Sequence, residues 1–408
     1  MLFENSEDPL TRCSAADQLA RYSRVLLLQG PNGPFFASLR TRLEARGVEV
    51  WKINFNGGDD LYYRGHRIIR FRAGMMSWQK FLREVLEQLE IDAIVVFGNG
   101  RRSHRIAARL AKAENIPFWV FEEGYIRPDY ITLEQDGVNA DSPIASLSLD
   151  DIQDIGEPKK ERIFRNSFRM MAWYSFFYFL AGIVLQPRYR NYRHHKPFSV
   201  LEGLLWLRAG YRKIKYRWLE RRVVRTLLLD GHPRFFLVPL QVYNDSQVRL
   251  YSPWRRIENF LEWVIYSFAN NAPAGDVLVI KHHPMDRGHT DYSDVIARLA
   301  NEMNVVDRVI YIHDVHLPSL LHRCTGVVTL NSTVGLQALY HNVPVRTLGR
   351  CFYDKPGLTY QGSLDSFWID PCRVDSRLYR RFRAYLINKT QINDSFYGSC
   401  DVGRREMG

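Results

Sequence analysis

Paired cysteines are missing from this chain. Its five cysteines, Cys13, Cys324, Cys351, Cys372 and Cys400, are scattered, and none forms a CxxC pair. That argues against zinc ribbons and thioredoxin-like chemistry. The odd count gives no disulfide framework, which favours a reducing compartment. The N-terminus, Met1 to Asp8, is acidic and has no apolar core, so it does not read as a secretory signal. No internal repeat, low-complexity tract or Asp-x-Asp metal motif is present, and neither a metal nor a cofactor is expected. A DNA- or RNA-binding signature is absent too, so nucleic acid is not an expected partner.

What is present is enough chain for roughly two domains, with 46% hydrophobic and 25% charged residues, an ordinary globular composition. The net charge is +12, but it is unevenly placed. Lys159 to Arg225 holds seventeen Lys or Arg against Glu161, Glu202 and Glu220, a local charge of +14. The rest of the chain is close to neutral. One basic stretch on a near-neutral body suggests a polyanionic partner, nucleic acid or an anionic membrane surface, and the missing binding signature ranks nucleic acid last. The bland alternative is a solvated basic helix pair.

Apolar runs alternate with helical periodicity. Arg24 to Leu28 reads as a buried strand ending at Gln29-Gly30-Pro31, followed by a helix over 35–46. Val48 to Phe55 is a second strand, ending in a loop through Asn56-Gly57-Gly58-Asp59-Asp60. A helix over 78–89 leads to a strand over 93–97, then Gly98-Asn99-Gly100 and a helix over 103–112. Ile116 to Phe121 is the next strand. After the middle segment the pattern resumes, with strands at 234–240, 276–280, 309–312, 326–330 and 343–349. Such alternation predicts βαβ units and parallel sheets. The expected class is α/β, with two Rossmann-like domains facing across a cleft and a basic aromatic helical insert. The expected divisions are an N-terminal extension (1–23), a first Rossmann-like domain (24–150), the insert (151–230), a second Rossmann-like domain (231–375) and a C-terminal helix and tail (376–408), polar and frayed from Asp401.

The insert contains Met170 to Pro187, which carries no charge, has several aromatics, and is flanked by Arg and Lys. It is at the lower length limit for a membrane span. A packed core helix and a helix in the membrane interface both fit it better than a span.

Ligands bind open α/β sheets outside the strand C-termini, and there the chemistry concentrates. Phe121-Glu122-Glu123-Gly124-Tyr125-Ile126-Arg127-Pro128 ends one strand. A carboxylate there can serve as base, acid or nucleophile, and Arg127 can hold an anion. Otherwise the pair is a solvated turn. Lys281-His282-His283-Pro284 ends another strand and offers donors for phosphate oxygens. Asn331-Ser332-Thr333, with Gly335, lies between a strand and a helix, where free N–H groups favour an anion. Taken singly, an N-cap and a loop histidine pair explain these two. Together they read as a nucleotide phosphate site.

The ordered set Gln29-Gly30-Pro31, Glu122-Glu123-Gly124-Tyr125-Ile126-Arg127, Gln241-x-x-x-Asp245-Ser246-Gln247, Lys281-x-His283-Pro284 and Asn331-Ser332-Thr333-x-Gly335 resembles the bacterial capsule proteins of the KpsS type and the related KpsC transferases. KpsC-like sequences carry Glu-Asp-Gly-Phe where this one has Glu122-Glu123-Gly124-Tyr125. The resemblance implies a GT-B-like retaining β-Kdo glycosyltransferase that uses CMP-Kdo. It implies transfer to a phosphatidylglycerol-type lipid at the inner face of the cytoplasmic membrane, with other capsule assembly proteins as further partners. By position in the motif, Glu123 is the implied nucleophile, with Glu122 as runner-up or positioning residue. A CMP-sugar has no diphosphate, so a divalent metal is not obligatory. Arg102, Arg127 or His104 can pair with the Kdo carboxylate, and Asn99 is a further candidate. A different nucleotide sugar, or a non-catalytic role in capsule assembly or export, remains open.

Overall fold

The computed structural model describes residues 14–158, 160, 162–192 and 200–400. The chain forms two compact units. One comprises Met1–Val138, Pro158–Phe198 and Ile387–Gly408, the other Asn139–Glu157 and Ser199–Leu386.

The first unit is built on β1 (Arg24–Leu27), β2 (Glu49–Asn54), β3 (Ile68–Arg70), β4 (Ala93–Phe97), β5 (Phe118–Glu123) and β6 (Ile131–Gln135). A short β7 (Phe164–Arg165) lies outside this sheet. Apolar runs such as Val25 to Leu28 and Ala93 to Val96 are buried because helices cover both faces. Leu39 and Leu43 of the Phe35–Glu44 helix pack on one face; Leu82 and Leu110, from helices Trp78–Gln88 and Arg102–Ala113, pack on the other.

The second unit holds β8 (Phe235–Pro239), β9 (Val277–Lys281), β10 (Val309–Ile312), β11 (Gly326–Thr329) and β12 (Val345–Thr347), all parallel, in the order β10-β9-β8-β11-β12. Its core packs Phe260, Leu261, Val264 and Phe268 of the Ile257–Asn271 helix with Phe367 and Trp368. Near the C-terminus, β13 (Gln391–Ile392) and β14 (Ser399–Cys400) belong to the first unit: β13 pairs with β6 and β14 with β7, both antiparallel. The first unit's main sheet therefore runs β13-β6-β5-β4-β1-β2-β3. Both units are Rossmann-like, as the alternation of strand and helix predicts.

Several expectations need correction. Gly57 and Gly58 lie in a helix, Gly57–Tyr62, rather than a loop; the Asn56 side chain caps it, accepting from Gly58 N at 2.8 Å and Asp59 N at 3.1 Å. The glycines allow close packing: a Cβ on Gly57 would lie 2.2 Å from the Ala181 carbonyl oxygen, and one on Gly58 2.4 Å from the Tyr178 ring. The N-terminal extension is not all appendage, since Ala15, Ala16 and Leu19 of helix Ala15–Leu19 join the first core. Of the C-terminal helix and tail expected over 376–408, the helix Ser376–Lys389 forms, and from Ile387 the chain belongs to the first unit, where Gln391–Ile392 joins the main sheet; the frayed end expected from Asp401 lies outside the described residues.

The insert is likewise not one body. Helix Ser167–Val184 belongs to the first unit and helix Val200–Leu219 to the second. The former buries Tyr178, while Trp173, Phe176, Phe177, Leu180 and Val184 form an outward stripe that is 43–65% exposed. It is thus half core and half unpartnered surface. No described helix is long and apolar enough to cross a membrane. Helix Val200–Leu219 also has two faces. Arg212 donates to the Arg287 carbonyl at 2.9 Å and pairs with Asp291 at 2.9 Å; Tyr216 stacks on His313 at 3.6 Å. On the opposite side Leu204, Leu207, Tyr211, Ile214 and Trp218 are 58–74% exposed.

Candidate active site

The strand order of the first unit reverses between β1 and β4, the place where such sheets bind ligands. Gln29, Gly98-Asn99 and Glu122-Glu123 all end strands there. Main-chain bonds tie them together: Phe97 N donates to Gln29 O at 3.1 Å and Gly98 N to Phe121 O at 2.8 Å. The two glutamates differ. Glu122 folds back, accepting the Glu123 N–H at 3.0 Å, with its other oxygen beside Gly98. The Glu123 carboxylate accepts no hydrogen bond from the described residues. Burial raises its pKa, and the Arg127 charge opposes the rise.

The loop after β5 is held tightly. A Cβ on Gly124 would lie 2.1 Å from the Tyr130 carbonyl oxygen, so a side chain does not fit. Tyr125 N donates to Gln391 Oε1 at 2.9 Å, and the Tyr125 hydroxyl donates to Glu134 at 2.6 Å. Arg127 donates to the Gly124 carbonyl at 3.2 Å and is otherwise exposed.

Two of the proposed carboxylate partners change. His104 is buried and must donate from Nδ1 to the Gly98 carbonyl at 2.6 Å, which leaves buried Nε2 an unpaired acceptor among the described residues. Burial, then the Arg101 charge, push its pKa down to about 3, so it is neutral and cannot supply a cation. Arg102 is exposed on its helix. A cation that does reach this region is its neighbour Arg101, whose charge acts on His104, Tyr178, Tyr192 and Tyr397. Tyr397 was not legible as a site residue. Burial, then the Glu123 charge, raise its pKa.

Gln29 is committed to structure: its amide donates to the Tyr178 and Tyr192 hydroxyls, both at 2.8 Å. Tyr178 in turn accepts from Asn56 at 2.7 Å and donates to Asp59 at 3.0 Å. Gly30 leaves room for Phe36, which a Cβ would meet at 2.7 Å. Asn99 is buried. Lys52 is buried nearby, its pKa pushed down to about 8 by burial against the pull of Asp59 and Asp60.

In the second unit the order reverses between β8 and β11. Gln241 and Asn331, just past those strands, join there: Gln241 Nε2 donates to Asn331 Oδ1 at 3.0 Å. Asn331 Nδ2 donates to the Gln247 carbonyl at 3.0 Å, and Asp245 caps helix Ser246–Tyr251 by accepting from Gln247 N at 2.8 Å. Burial raises the Asp245 pKa against those bonds. Ser332 Oγ accepts from Val334 N at 3.2 Å, which leaves its hydroxyl proton to donate. Thr333 makes no side-chain cap. Gly335 is required by Tyr353, whose hydroxyl donates to the Ser332 carbonyl and would lie 2.3 Å from an added Cβ.

The Lys281-His282-His283-Pro284 run splits. His283 Nδ1 accepts from Met285 N at 3.1 Å, so the neutral ring carries its proton on Nε2, a donor; Pro284 begins the 3-10 turn after it. His282 turns inward, 2.6 Å from the Tyr311 hydroxyl, and burial with the His313 charge push its pKa down to about 3. Lys281 is buried, its pKa pushed down to about 8 by burial and Arg287. Beside them, Glu220 accepts from His313 N at 2.8 Å and Asp314 N at 3.0 Å. Among the described residues no group of three or more His, Cys, Asp or Glu is placed to hold a metal.

The family model for capsule polysaccharide biosynthesis proteins matches residues 92–397. The capsule polysaccharide export protein KpsS of Escherichia coli is 40% identical over 380 residues, covering 92% of this chain and 97% of that protein. This chain belongs to the capsule polysaccharide biosynthesis family. The capsule polysaccharide modification protein LipB of Neisseria meningitidis serogroup B is 41% identical over 383 residues, 91% of each chain. The solved Thermosulfurimonas dismutans KpsC, beta Kdo 2,7 transferase, is 14% identical with a TM-score of 0.40, over 88% of this chain and 99% of that one. The region matched to the capsule family contains Glu122-Glu123, His283 and Asn331-Ser332-Thr333, whereas Gln29 and Gly30 precede it.

Proposed function

We propose that this capsule protein is a retaining glycosyltransferase that moves β-Kdo from CMP-Kdo to a phosphatidylglycerol-type lipid, starting the capsule linker at the inner face of the cytoplasmic membrane. The observation that carries the reading is the Glu122-Glu123 pair at the carboxyl end of β5, with the Glu123 carboxylate accepting no hydrogen bond from the described residues and its pKa raised by burial. The motif set shared with KpsS- and KpsC-type proteins supplies the donor and acceptor.

In this reading a Glu123 oxygen attacks the anomeric carbon as its bond to the CMP phosphate breaks, and CMP leaves with the bonding electrons. The acceptor hydroxyl then displaces Glu123 and loses its proton to a base. Two inversions give net retention. His283 Nε2–H and the Ser332 hydroxyl donate to the donor phosphate, assisted by the Lys281 charge. The helix after Ser332, Val334–Tyr340, has only seven residues, so side chains rather than a helix dipole carry this contact. No metal or other cofactor is needed. The exposed apolar stripes and the basic residues around them fit an anionic lipid surface, and other capsule assembly proteins are further partners.

The test is a transfer assay with CMP-Kdo and phosphatidylglycerol vesicles, reading product mass and anomeric configuration. A β-Kdo lipid is the expected product. Transfer from another nucleotide sugar instead would move the reading to a different donor. No transfer from any nucleotide sugar would leave a non-catalytic assembly or export role, the alternative that the name of the Escherichia coli relative favours.

A further inference from the structure

The main chain on both sides of Gly124 is held by one side chain from near the C-terminus. Gln391 lies in β13, opposite Thr132 of β6. Its Oε1 accepts from Tyr125 N at 2.9 Å and from Ile126 N at 3.3 Å. Its Nε2 donates to Thr132 Oγ1 and to Thr390 Oγ1, both at 2.9 Å. Thr132 Oγ1 in turn donates to the Glu123 carbonyl oxygen at 3.1 Å. The amide thus uses two acceptor and two donor positions at once, and turning it over would set N–H against N–H. Gln391 and Thr132 are both buried, so bulk water cannot stand in for these bonds.

The placement matters because of where β5 stops. Glu123 is its last residue, so the strand ladder fixes the chain before the carboxylate but not after it. The carboxylate itself accepts no hydrogen bond from the described residues. Its direction is therefore set by the main chain, and the main chain just beyond it is set by Gln391. The same returning segment holds the far end of the loop, where Asn393 Nδ2 donates to the Asp129 carbonyl at 2.7 Å. It also brings Tyr397 within range of the Glu123 charge.

We infer that Gln391 is the positioning residue of the Glu123 carboxylate: by tying Tyr125, Ile126 and, through Thr132, Glu123 itself, it fixes the direction in which the carboxylate leaves the sheet. Its part in catalysis rests on Glu123 acting as the nucleophile. Gln391→Leu removes all four bonds, and Thr132→Val removes only the link to Glu123. Turnover with CMP-Kdo should fall about 100-fold in the first, as for a misplacement of about 1 Å, and about tenfold in the second, with CMP affinity unchanged in both. A second readout needs no donor. In protein carrying glutamate labelled with 13C at the side-chain carboxyl, the Glu123 resonance, assigned by difference against Glu123→Gln, titrates with pH. Arg127 on the loop, Glu122 on β5 and Tyr397 on the returning segment face it. In the wild type burial holds its midpoint above the ordinary glutamate range, and release of the loop into water should lower that midpoint in Gln391→Leu. Thr132→Val decides both points should Gln391→Leu not fold. Leu82→Ala, a core truncation elsewhere in the first unit, controls for lost stability and should change neither readout. An unmoved midpoint in Gln391→Leu, or the same shift in Leu82→Ala, would overturn the proposal. So would a loss carried by CMP affinity instead of turnover. A wild type that transfers from no nucleotide sugar, yet shows the shifted midpoint in Gln391→Leu, would keep Gln391 as the anchor of Glu123 and remove the transferase reading.

Discussion

Glu123 is a half-buried carboxylate that takes no hydrogen bond from the described residues, next to one whose oxygen already takes a main-chain N–H. A less solvated, uncommitted carboxylate is the better nucleophile of the two. Glu123→Gln should preserve the fold and CMP affinity and lower transfer by on the order of 10³-fold or more. Intact-protein mass spectrometry of the wild type with CMP-Kdo and no acceptor should show a Kdo adduct on Glu123. Near-normal turnover in Glu123→Gln would end the assignment, and loss confined to Glu122→Gln would move it one residue back. On the donor side, His283→Ala and Ser332→Ala should each weaken CMP binding by about 1.5–3 kcal/mol. Unchanged calorimetric affinity in both would remove that site. A third residue-scale consequence concerns pH. His104 and His282 are buried with pKa values pushed down to about 3, against about 6.5 in an unfolded chain. Between those values the unfolded chain binds more protons, so stability is full above about pH 6.5 and falls as the pH drops towards 3. Each histidine steepens the fall by up to about 1.4 kcal/mol per pH unit. Urea midpoints from pH 7 to 4 should drop less steeply in His104→Asn; an unchanged slope would show that the ring is not held neutral.

At the scale of elements, the sequence was most readable where a run was fully apolar. β1, β4, β5, β8, β9 and β11 match expected strands because both faces of the sheet are covered, so their central positions are apolar and only their ends are polar. The same runs put Glu122-Glu123, Lys281 to Pro284 and Asn331 to Thr333 at strand ends. β3, a half-buried three-residue edge strand, gave no such signal. Gly57-Gly58 misled for a different reason. Glycine pairs read as turns, but here they lie under a helix more than a hundred residues away in sequence, a constraint no local window contains. Gln391 and Tyr397 escaped notice likewise, since only the return of the chain to β6 brings them to the β5 loop. The Gly57 contact can be tested directly. Gly57→Ala places a methyl 2.2 Å from the Ala181 carbonyl oxygen, and overpacking of that kind costs about 1–3 kcal/mol. A lower thermal midpoint, with faster proteolysis within 167–192, is expected. A midpoint equal to wild type would mean that the Ser167–Val184 helix is not held against this site.

At the scale of the whole molecule, the uneven charge has a counterpart in exposed apolar surface. Each unit carries one helix whose inward face is fixed by polar contacts and whose outward face is an unbroken apolar stripe: Trp173 to Val184 in the first, Leu204 to Trp218 in the second. Arg208, Lys213, Lys215, Arg217, Arg221, Arg222 and Arg225 lie along or just after the second stripe. This combination fits a helix lying in a membrane interface rather than a water-exposed surface or a span. The two contributions separate by salt. Attraction of the basic residues to anionic lipid, about 1 kcal/mol for each one near the surface, is screened within about 10 Å at 0.1 M salt, whereas burial of the stripes in the acyl boundary is not. Co-sedimentation should therefore rise with phosphatidylglycerol content, fall with salt, and level off above zero. Ile214→Glu and Phe176→Glu should each lower the salt-resistant remainder without changing CMP affinity. Equal binding to neutral and anionic vesicles at every salt concentration would refute the electrostatic part. A salt-resistant fraction untouched in both variants would show that these stripes face something other than lipid.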